Sequence, residues 1–315
     1  MRAKAKSLAV EIQNGNRSAL AKAITLMESS TSQDRIDAEL MLKEILPITG
    51  KSMRLGVTGI PGVGKSTFIE KIGLHALHAG YRVAVLTIDP SSVRSKGSIL
   101  GDKTRMGDLA FHKNVFIRPS PSGASKGGVA DRTRECIYIC EAAGFDLIIV
   151  ETVGVGQVEL SVAGITDIVL LLLLPATGDE LQGLKRGSVE LADFILVNKA
   201  DGEMRNAALR TVSDYRQATH LLSNPGHTEK KEVMSISALD DSGVLDVFNA
   251  TIDLHLLFVK NQVLNQRRAA QAKNWLAQSV REILLTSMDR EPSSYDHWSK
   301  LEDEVAQGRM TALSA

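Results

Sequence analysis

The 315-residue sequence predicts an α/β fold, a mostly parallel, doubly wound sheet flanked by N- and C-terminal helical extensions. Three observations carry this. Six short apolar segments, MRLGVT (53–58), RVAVLTID (82–89), DLIIVE (146–151), DIVLLLLL (167–174), FILVN (194–198) and EVMSIS (232–237), read as buried strands. Stretches of helical length separate them, as a parallel sheet covered on both faces requires. Strand signals are missing before about residue 50 and after about 251, where apolar residues recur at helical spacing.

Before the first strand, Leu20, Ile24 and Met27, then Ala38, Met41, Leu42 and Ile45, predict two short amphipathic helices. Past Thr251 a longer helical pattern begins, with Leu254, Leu257 and Phe258, then Ala272, Leu276, Val280, Ile283 and Leu284. Such a stripe packs back on its own domain or on a second copy of the chain. SMDREPSS (287–294) reads as a turn before a last helix. The expected organisation is an N-terminal helical extension (1–50), a central sheet domain (51–250) and a C-terminal helical arm (251–315).

Lys and Arg number 37 and Asp and Glu 37, so no bulk field is offered to nucleic acid. Only two cysteines occur, Cys136 and Cys140, too few for a disulfide framework. The first twenty residues lack the apolar core of a secretory signal, and the longest apolar run, Ile168 to Leu174, falls short of the roughly 20 residues a membrane span needs. A cytoplasmic protein without nucleic-acid or membrane partners is the expectation.

The chemistry begins at GIPGVGKST, residues 59–67. Gly59, Gly64, Lys65 and Ser66 satisfy GxxxxGK[ST], placed between a strand and a helical stretch as the mechanism demands. Pro61, Gly62 and Val63 complete the loop, and Thr67 follows it. The glycines let backbone N–H groups face phosphate oxygens, the helix N-terminus adds partial positive charge, and Lys65 reaches the terminal phosphates. Ser66 is then a magnesium ligand. Acids for the same ion end two strands, Asp89 and Glu151, and Asp102 lies between them. In ETVGVGQ (151–157), Gly154 offers its N–H to the γ-phosphate, and Gln157 is a candidate to orient the attacking water.

NKAD, Asn198 to Asp201, directly follows the strand FILV and selects the base. The Asp201 carboxylate accepts both N1–H and N2–H₂ of guanine, Asn198 reaches the other edge, and the Lys199 stem lies along the ring. Adenine lacks those donors, and a site built for them rejects it by factors on the order of 10⁴ or more. SISAL (235–239) supplies a second loop, with Ser237, Ala238 and Leu239 at the pocket and the Ala238 backbone near the base oxygen. GTP and GDP, with Mg²⁺, are the expected ligands.

With these motifs in place the chain resembles the G proteins that chaperone cobalamin-dependent acyl-CoA mutases, the MeaB, ArgK and methylmalonic aciduria type A family of P-loop GTPases. The resemblance is carried by NRSALAKAITLMES (16–29), GVTGIPGVGKSTFIEKIG (56–73), VAVLTIDPSS (83–92), GSILGDKTRM (97–106), FIRPSPSG (116–123), VETVGVGQ (150–157), GDELQGLKRG (178–187) and VNKADG (197–202). It implies a P-loop G domain, an arm through which two subunits dimerise, and a client, methylmalonyl-CoA or isobutyryl-CoA mutase. GTP hydrolysis would gate transfer of adenosylcobalamin from an adenosyltransferase and help to remove damaged cofactor. The family's phosphate and magnesium roles fall on Lys65, Ser66, Asp89, Asp102 and Glu151, and its base-reading role on Asn198, Lys199 and Asp201. Its mutase-responsive switch falls on GDELQGLK, with Gln182 and Lys185 as the catalytic candidates. The sequence offers no certain water-positioning residue, so slow intrinsic turnover that a partner accelerates is expected. Lys96 before Gly97 and SGASKGG (122–128) depart from the family pattern.

Two rival readings are a metal-insertion GTPase, through Cys136 and Cys140 on one helix face, and a P-loop kinase linked to arginine or ornithine transport. The first lacks accompanying histidines or clustered CxxC motifs, and the second has no use for a guanine-reading NKAD.

Overall fold

A computed structural model describes residues 2–29, 31–89, 106–121, 129–152, 162–175, 186–222, 231–290, 303–304, 306–307 and 309–311. Two compact units divide the chain, the larger holding the described residues up to Arg268 and the smaller those from Ala269 onward.

The larger unit is built on a seven-stranded sheet. Its strands are β1 (Met53–Gly59), β2 (Val83–Asp89), β3 (Val115–Pro121), β4 (Leu147–Thr152), β5 (Ile168–Leu173), β6 (Phe194–Val197) and β7 (Glu232–Ser235). Their order is β3-β2-β4-β1-β5-β6-β7, and every pairing among the described residues is parallel. The chain leaves β1 toward one edge through β2 and β3, returns to β4, then crosses to the other side through β5, β6 and β7. The strand order therefore reverses around β1, and ligands of open α/β sheets bind at the carboxyl ends of strands beside such a reversal.

Six of these strands lie where the sequence predicts them. The seventh, β3, has only a short apolar run, Val115 to Ile117, before Arg118, Pro119 and Pro121 interrupt it. It is an edge strand, where a missing N–H costs no ladder bond.

Successive residues of each strand bury on opposite faces. On one face Leu55, Val57, Ile149, Leu170 and Leu172 pack with Phe68, Ile69 and Ile72 of helix α4 (Lys65–His78) and with Val247 and Phe248 of helix α9 (Val244–Lys260). The other face receives helix α6 (Val129–Ala142) and the N-terminal helices against Leu86, Ile88, Ile148 and Val150. Helices α7 (Arg186–Leu191) and α8 (Arg205–Leu222) cover Leu171, Leu173, Ile195 and Val197. The short α5 (Gly107–Ala110) packs Leu109 against α4.

Before β1 there are three helices, α1 (Arg2–Gln13), α2 (Arg17–Glu28) and α3 (Ser32–Ile45), one more than the sequence predicts. Helix α1 buries Ala5, Ala9 and Ile12, a face mostly of alanine that carries little hydrophobic signal. Helix α10 (Val263–Arg290) follows α9 after Gln262, whose φ of 61° breaks the helical run. The expected turn at 287–294 begins inside this helix, and its residues from 291 lie outside the described set.

Buried ion pairs tie the starting ends of the strands to the root of α10. Asp167, with a fully buried side chain, takes two bonds from Arg268 at 2.7 and 2.6 Å and one from the Arg54 N–H at 2.8 Å. Arg268 also donates to the carbonyls of Gly50 and Ser52, and Arg54 pairs with Glu141 at 2.9 Å.

Candidate functional site

The opposite, carboxyl edge of the sheet gathers the motif residues. Strand β1 ends at Gly59 with φ of 147°, and a Cβ there would lie 2.4 Å from the Leu172 carbonyl oxygen, so only glycine lets the chain turn away from β5. Gly64, at φ of 98°, caps α4, and a Cβ on it would meet Asn198 Nδ2 at 2.6 Å. Between them the loop closes around Lys65, whose Nζ donates to the Gly59 carbonyl at 2.8 Å and the Ile60 carbonyl at 3.0 Å. The Lys65 stem is buried and the ammonium is held inside the loop. The first helical bond of α4 runs from the Phe68 N–H to the Gly64 carbonyl at 2.9 Å, so the N–H groups before it belong to the open N-terminal turn. Such a turn with a lysine at its centre is a site for phosphate. Pro61 and Gly62 are exposed on its outer rim, Val63 is buried beneath it, and Thr67 is half-buried.

Ser66 Oγ donates to Glu151 Oε1 at 3.1 Å, joining the start of α4 to the end of β4. Glu151 is 5% exposed, and Thr152 Oγ1 donates to Thr58 Oγ1 at 2.9 Å, which locks β4 to β1 beside it. A hydroxyl and a carboxylate sharing a hydrogen bond at a phosphate-binding turn form a hard-oxygen donor set that fits magnesium. Asp89 ends β2, one residue past the Ile88–Thr152 pairing, on the same edge. Its side chain lies outside the described set, as do Asp102, Gly154, Gln157, Gln182, Lys185, Lys96 and residues 122–128.

The residues expected to read the base follow β6 and β7. Asn198 is 2% exposed and bridges two loops: its Nδ2 donates to the Val63 carbonyl at 2.7 Å, and its Oδ1 accepts the Ala238 N–H at 2.9 Å. One N–H of the amide remains for a base edge. Lys199 is exposed and has φ of 60°, a left-handed conformation that a lysine adopts only where its surroundings impose it. Asp201 Oδ1 accepts from Ser237 Oγ at 2.7 Å, which fixes the carboxylate beside the second loop. Ala238 is buried and Leu239 is 72% exposed. The structure thus brings together Lys65, Ser66 and Glu151 at one end and Asn198, Asp201, Ser237 and Ala238 at the other, with Asn198 spanning both.

Sequence reasoning does not single out Thr58, Thr152, His75 or Asp241. His75 Nε2 lies 2.9 Å from Asp241 Oδ1, and nothing in the spacing of these four residues announces that they meet. The cysteines behave otherwise. Cys136 and Cys140 are fully buried under the sheet on α6, and burial pushes both thiols up, as expected of small core hydrophobes rather than metal ligands. Among the described residues no group of three or more His, Cys, Asp or Glu is placed to hold a metal, and no helix is long and apolar enough to cross a membrane.

The family model described as "Methylmalonyl Co-A mutase-associated GTPase MeaB" matches residues 20–293. A Caulobacter vibrioides protein named for GTPase activity is 47% identical over 311 residues, covering 98% of this chain and 94% of that one. The Mus musculus protein named methylmalonic aciduria type A homolog, mitochondrial, is 39% identical over 307 residues, covering 94% of this chain and 74% of its own. A solved structure named LAO/AO transport system kinase superposes with a TM-score of 0.82 at 33% identity, covering 98% of this chain and 94% of that one.

Proposed function

The chain belongs to the MeaB family of methylmalonyl-CoA mutase-associated GTPases, and from that premise we propose that it binds GTP across the edge from Lys65 to Asp201 and directs the hydrolysis at a cobalamin-dependent acyl-CoA mutase. The observation that carries this reading is Asn198, whose amide ties the phosphate loop at Val63 to the base loop at Ala238. One rigid frame then holds both ends of a single nucleotide.

In this reading the Lys65 ammonium leaves the Gly59 and Ile60 carbonyls for the β- and γ-phosphates, exchanging neutral acceptors for charged ones. The N–H groups of the first turn of α4 face the same oxygens. Ser66 and Glu151, with Asp89 and Asp102, would hold magnesium, which would supply neutralisation of the phosphate charge. Gly154 presents its N–H to the γ-phosphate, with Gln157 as a candidate to orient water. The bond from the γ-phosphorus to its bridging oxygen breaks as water attacks, giving GDP and phosphate. The arm (251–315) pairs two subunits, and the segment 178–185, through Gln182 and Lys185, answers a bound methylmalonyl-CoA or isobutyryl-CoA mutase by stabilising the departing charge. Adenosylcobalamin loading from an adenosyltransferase, and protection of the loaded enzyme in the cytoplasm, are what that answer serves.

The kinase reading is disfavoured by Asp201, which offers adenine an acceptor where adenine has no N1–H to give. The metal-insertion reading is disfavoured by the burial of both thiols.

Equilibrium binding of GTP, ATP and xanthosine triphosphate, with magnesium, tests the assignment. The native protein should prefer GTP over ATP by several orders of magnitude. Asp201→Asn should lose GTP affinity by about a hundredfold or more and gain affinity for xanthosine triphosphate, whose C2 carbonyl accepts from the new amide. Unchanged GTP binding in that variant removes Asp201 from the site.

A further inference from the structure

The geometry points to His75 as a positioning residue for guanine selection, acting through Asp241 on the loop that holds Asp201. The inference rests on the guanine site proposed above and adds a residue from outside its motifs.

His75 lies in the last turn of α4, the helix whose first residue is Lys65. Its side chain is 18% exposed, and Nε2 sits 2.9 Å from Asp241 Oδ1. Asp241 belongs to a closed turn. Ser237 and Ser242 exchange both backbone hydrogen bonds, at 2.9 and 3.0 Å, and the Asp240 N–H donates to Ser237 Oγ at 3.2 Å. That same Ser237 hydroxyl donates to Asp201 at 2.7 Å. A chain of bonds therefore runs from the phosphate-binding helix, through His75 and Asp241 and around the turn, to the carboxylate assigned to guanine.

The turn is held against its own preference. Asp241 has φ of 61°, a left-handed conformation for a residue that is not glycine, and Gly243 follows at φ of 75° as the cap of α9. A contact from outside offsets such a cost. His75 provides one, and the helix ends favour it: His75 stands at the C-terminal turn of α4, Asp241 just before the N-terminus of α9. Elsewhere α4 and α9 meet through apolar contacts, and Tyr81 just after α4 packs edge-to-face on Phe248 at 6.0 Å. Those contacts set the spacing of the helices and hold the start of the turn at Ala238, and the His75 bond is what ties Asp241 on its far side to α4.

The consequence falls on base discrimination. Asp201 must accept N1–H and N2–H₂ of guanine together, which demands that its carboxylate lie in the plane of the base. Releasing the turn frees Ser237, and with it the carboxylate, and the two-bond geometry is lost first. Inosine triphosphate has the N1–H and lacks the 2-amino group, so the ratio of GTP to ITP affinity reports that second bond.

The test measures binding and turnover of GTP and ITP by the purified full chain, in wild type, His75→Ala, Asp241→Ala, the double variant and His75→Gln, with Asp201→Asn as control. His75→Ala should weaken GTP about three- to tenfold, the scale of one part-buried hydrogen bond, and ITP less, so that the ratio narrows. The loss should fall on KM for GTP rather than on kcat. Asp241→Ala, on an exposed turn, should match it, with the double variant adding nothing further. His75→Gln, whose amide nitrogen replaces Nε2 as a donor, should restore the ratio. A wild-type GTP-to-ITP ratio in Asp241→Ala and in any folded His75→Ala would overturn the inference. If Asp201→Asn also leaves the ratio unchanged, the guanine site itself is misassigned; if Asp201→Asn abolishes it, only the role of His75 falls.

Discussion

Asn198 has two buried bonds to backbone groups of different loops. Asn198→Ala strands a carbonyl and an N–H at once. It should cost about 2–4 kcal/mol of stability in urea unfolding, and GTP affinity should fall with it. A fall in GTP affinity with unchanged stability would make Asn198 a base reader alone, without the bracing role. The sequence does identify Asn198, because NKAD follows a strand, but only as a residue facing the base. Its bond to Val63 joins positions 135 apart in the chain, a pairing that no local pattern encodes. Lys65, Ser66 and Glu151 are legible for the opposite reason: motif spacing and a strand end define them locally. Thr58 and Thr152 are not, since a threonine near a strand end is ordinary until the fold sets two of them side by side.

At the scale of elements, the starting ends of the strands are pinned by α9 and α10 rather than by ligand-binding loops. His255 on α9 has its Nδ1 buried without a hydrogen-bond partner among the described residues, and burial holds its imidazole below the usual histidine range; nearby Arg268 acts in the same direction and Asp167 against it. The folded protein therefore favours the neutral ring. As pH falls below about 6.5 the unfolded chain takes up a proton that the folded one resists, and stability should decline there. Unfolding midpoints from pH 8 to pH 5.5 should drop more steeply for wild type than for His255→Gln, and parallel curves would show that His255 does not set this dependence. The same edge shows which elements a sequence reveals. Six strands announce themselves by apolar runs, because a strand covered on both faces needs such a run. Strand β3, whose apolar run Val115–Ile117 is cut short by Arg118 and two prolines, and α1, whose buried face is Ala5 and Ala9 with Ile12 alone as a large residue, carry patterns too short to be visible before their partners are placed.

For the whole molecule, the described residues from Ala269 onward belong to a second compact unit, and its helix leaves Leu276, Val280, Ile283 and Leu284 exposed at 64, 45, 67 and 59%. The apolar stripe is legible in the sequence, and what covers it is not, because a helical repeat does not name its partner. The proposed pairing of arms predicts that Leu276→Glu with Ile283→Glu shifts the protein toward monomer in sedimentation while the melting of the sheet domain stays as it was; an unaltered dimer would place the contact elsewhere. Hydrolysis directed at a client is what separates the proposed function from nucleotide binding alone. GTP turnover should be measured for the protein by itself and with added methylmalonyl-CoA mutase, with ATP as control. Slow turnover of GTP, accelerated severalfold or more by the mutase and absent with ATP, is the expected outcome; GTP turnover indifferent to that mutase and to isobutyryl-CoA mutase would refute the proposed function.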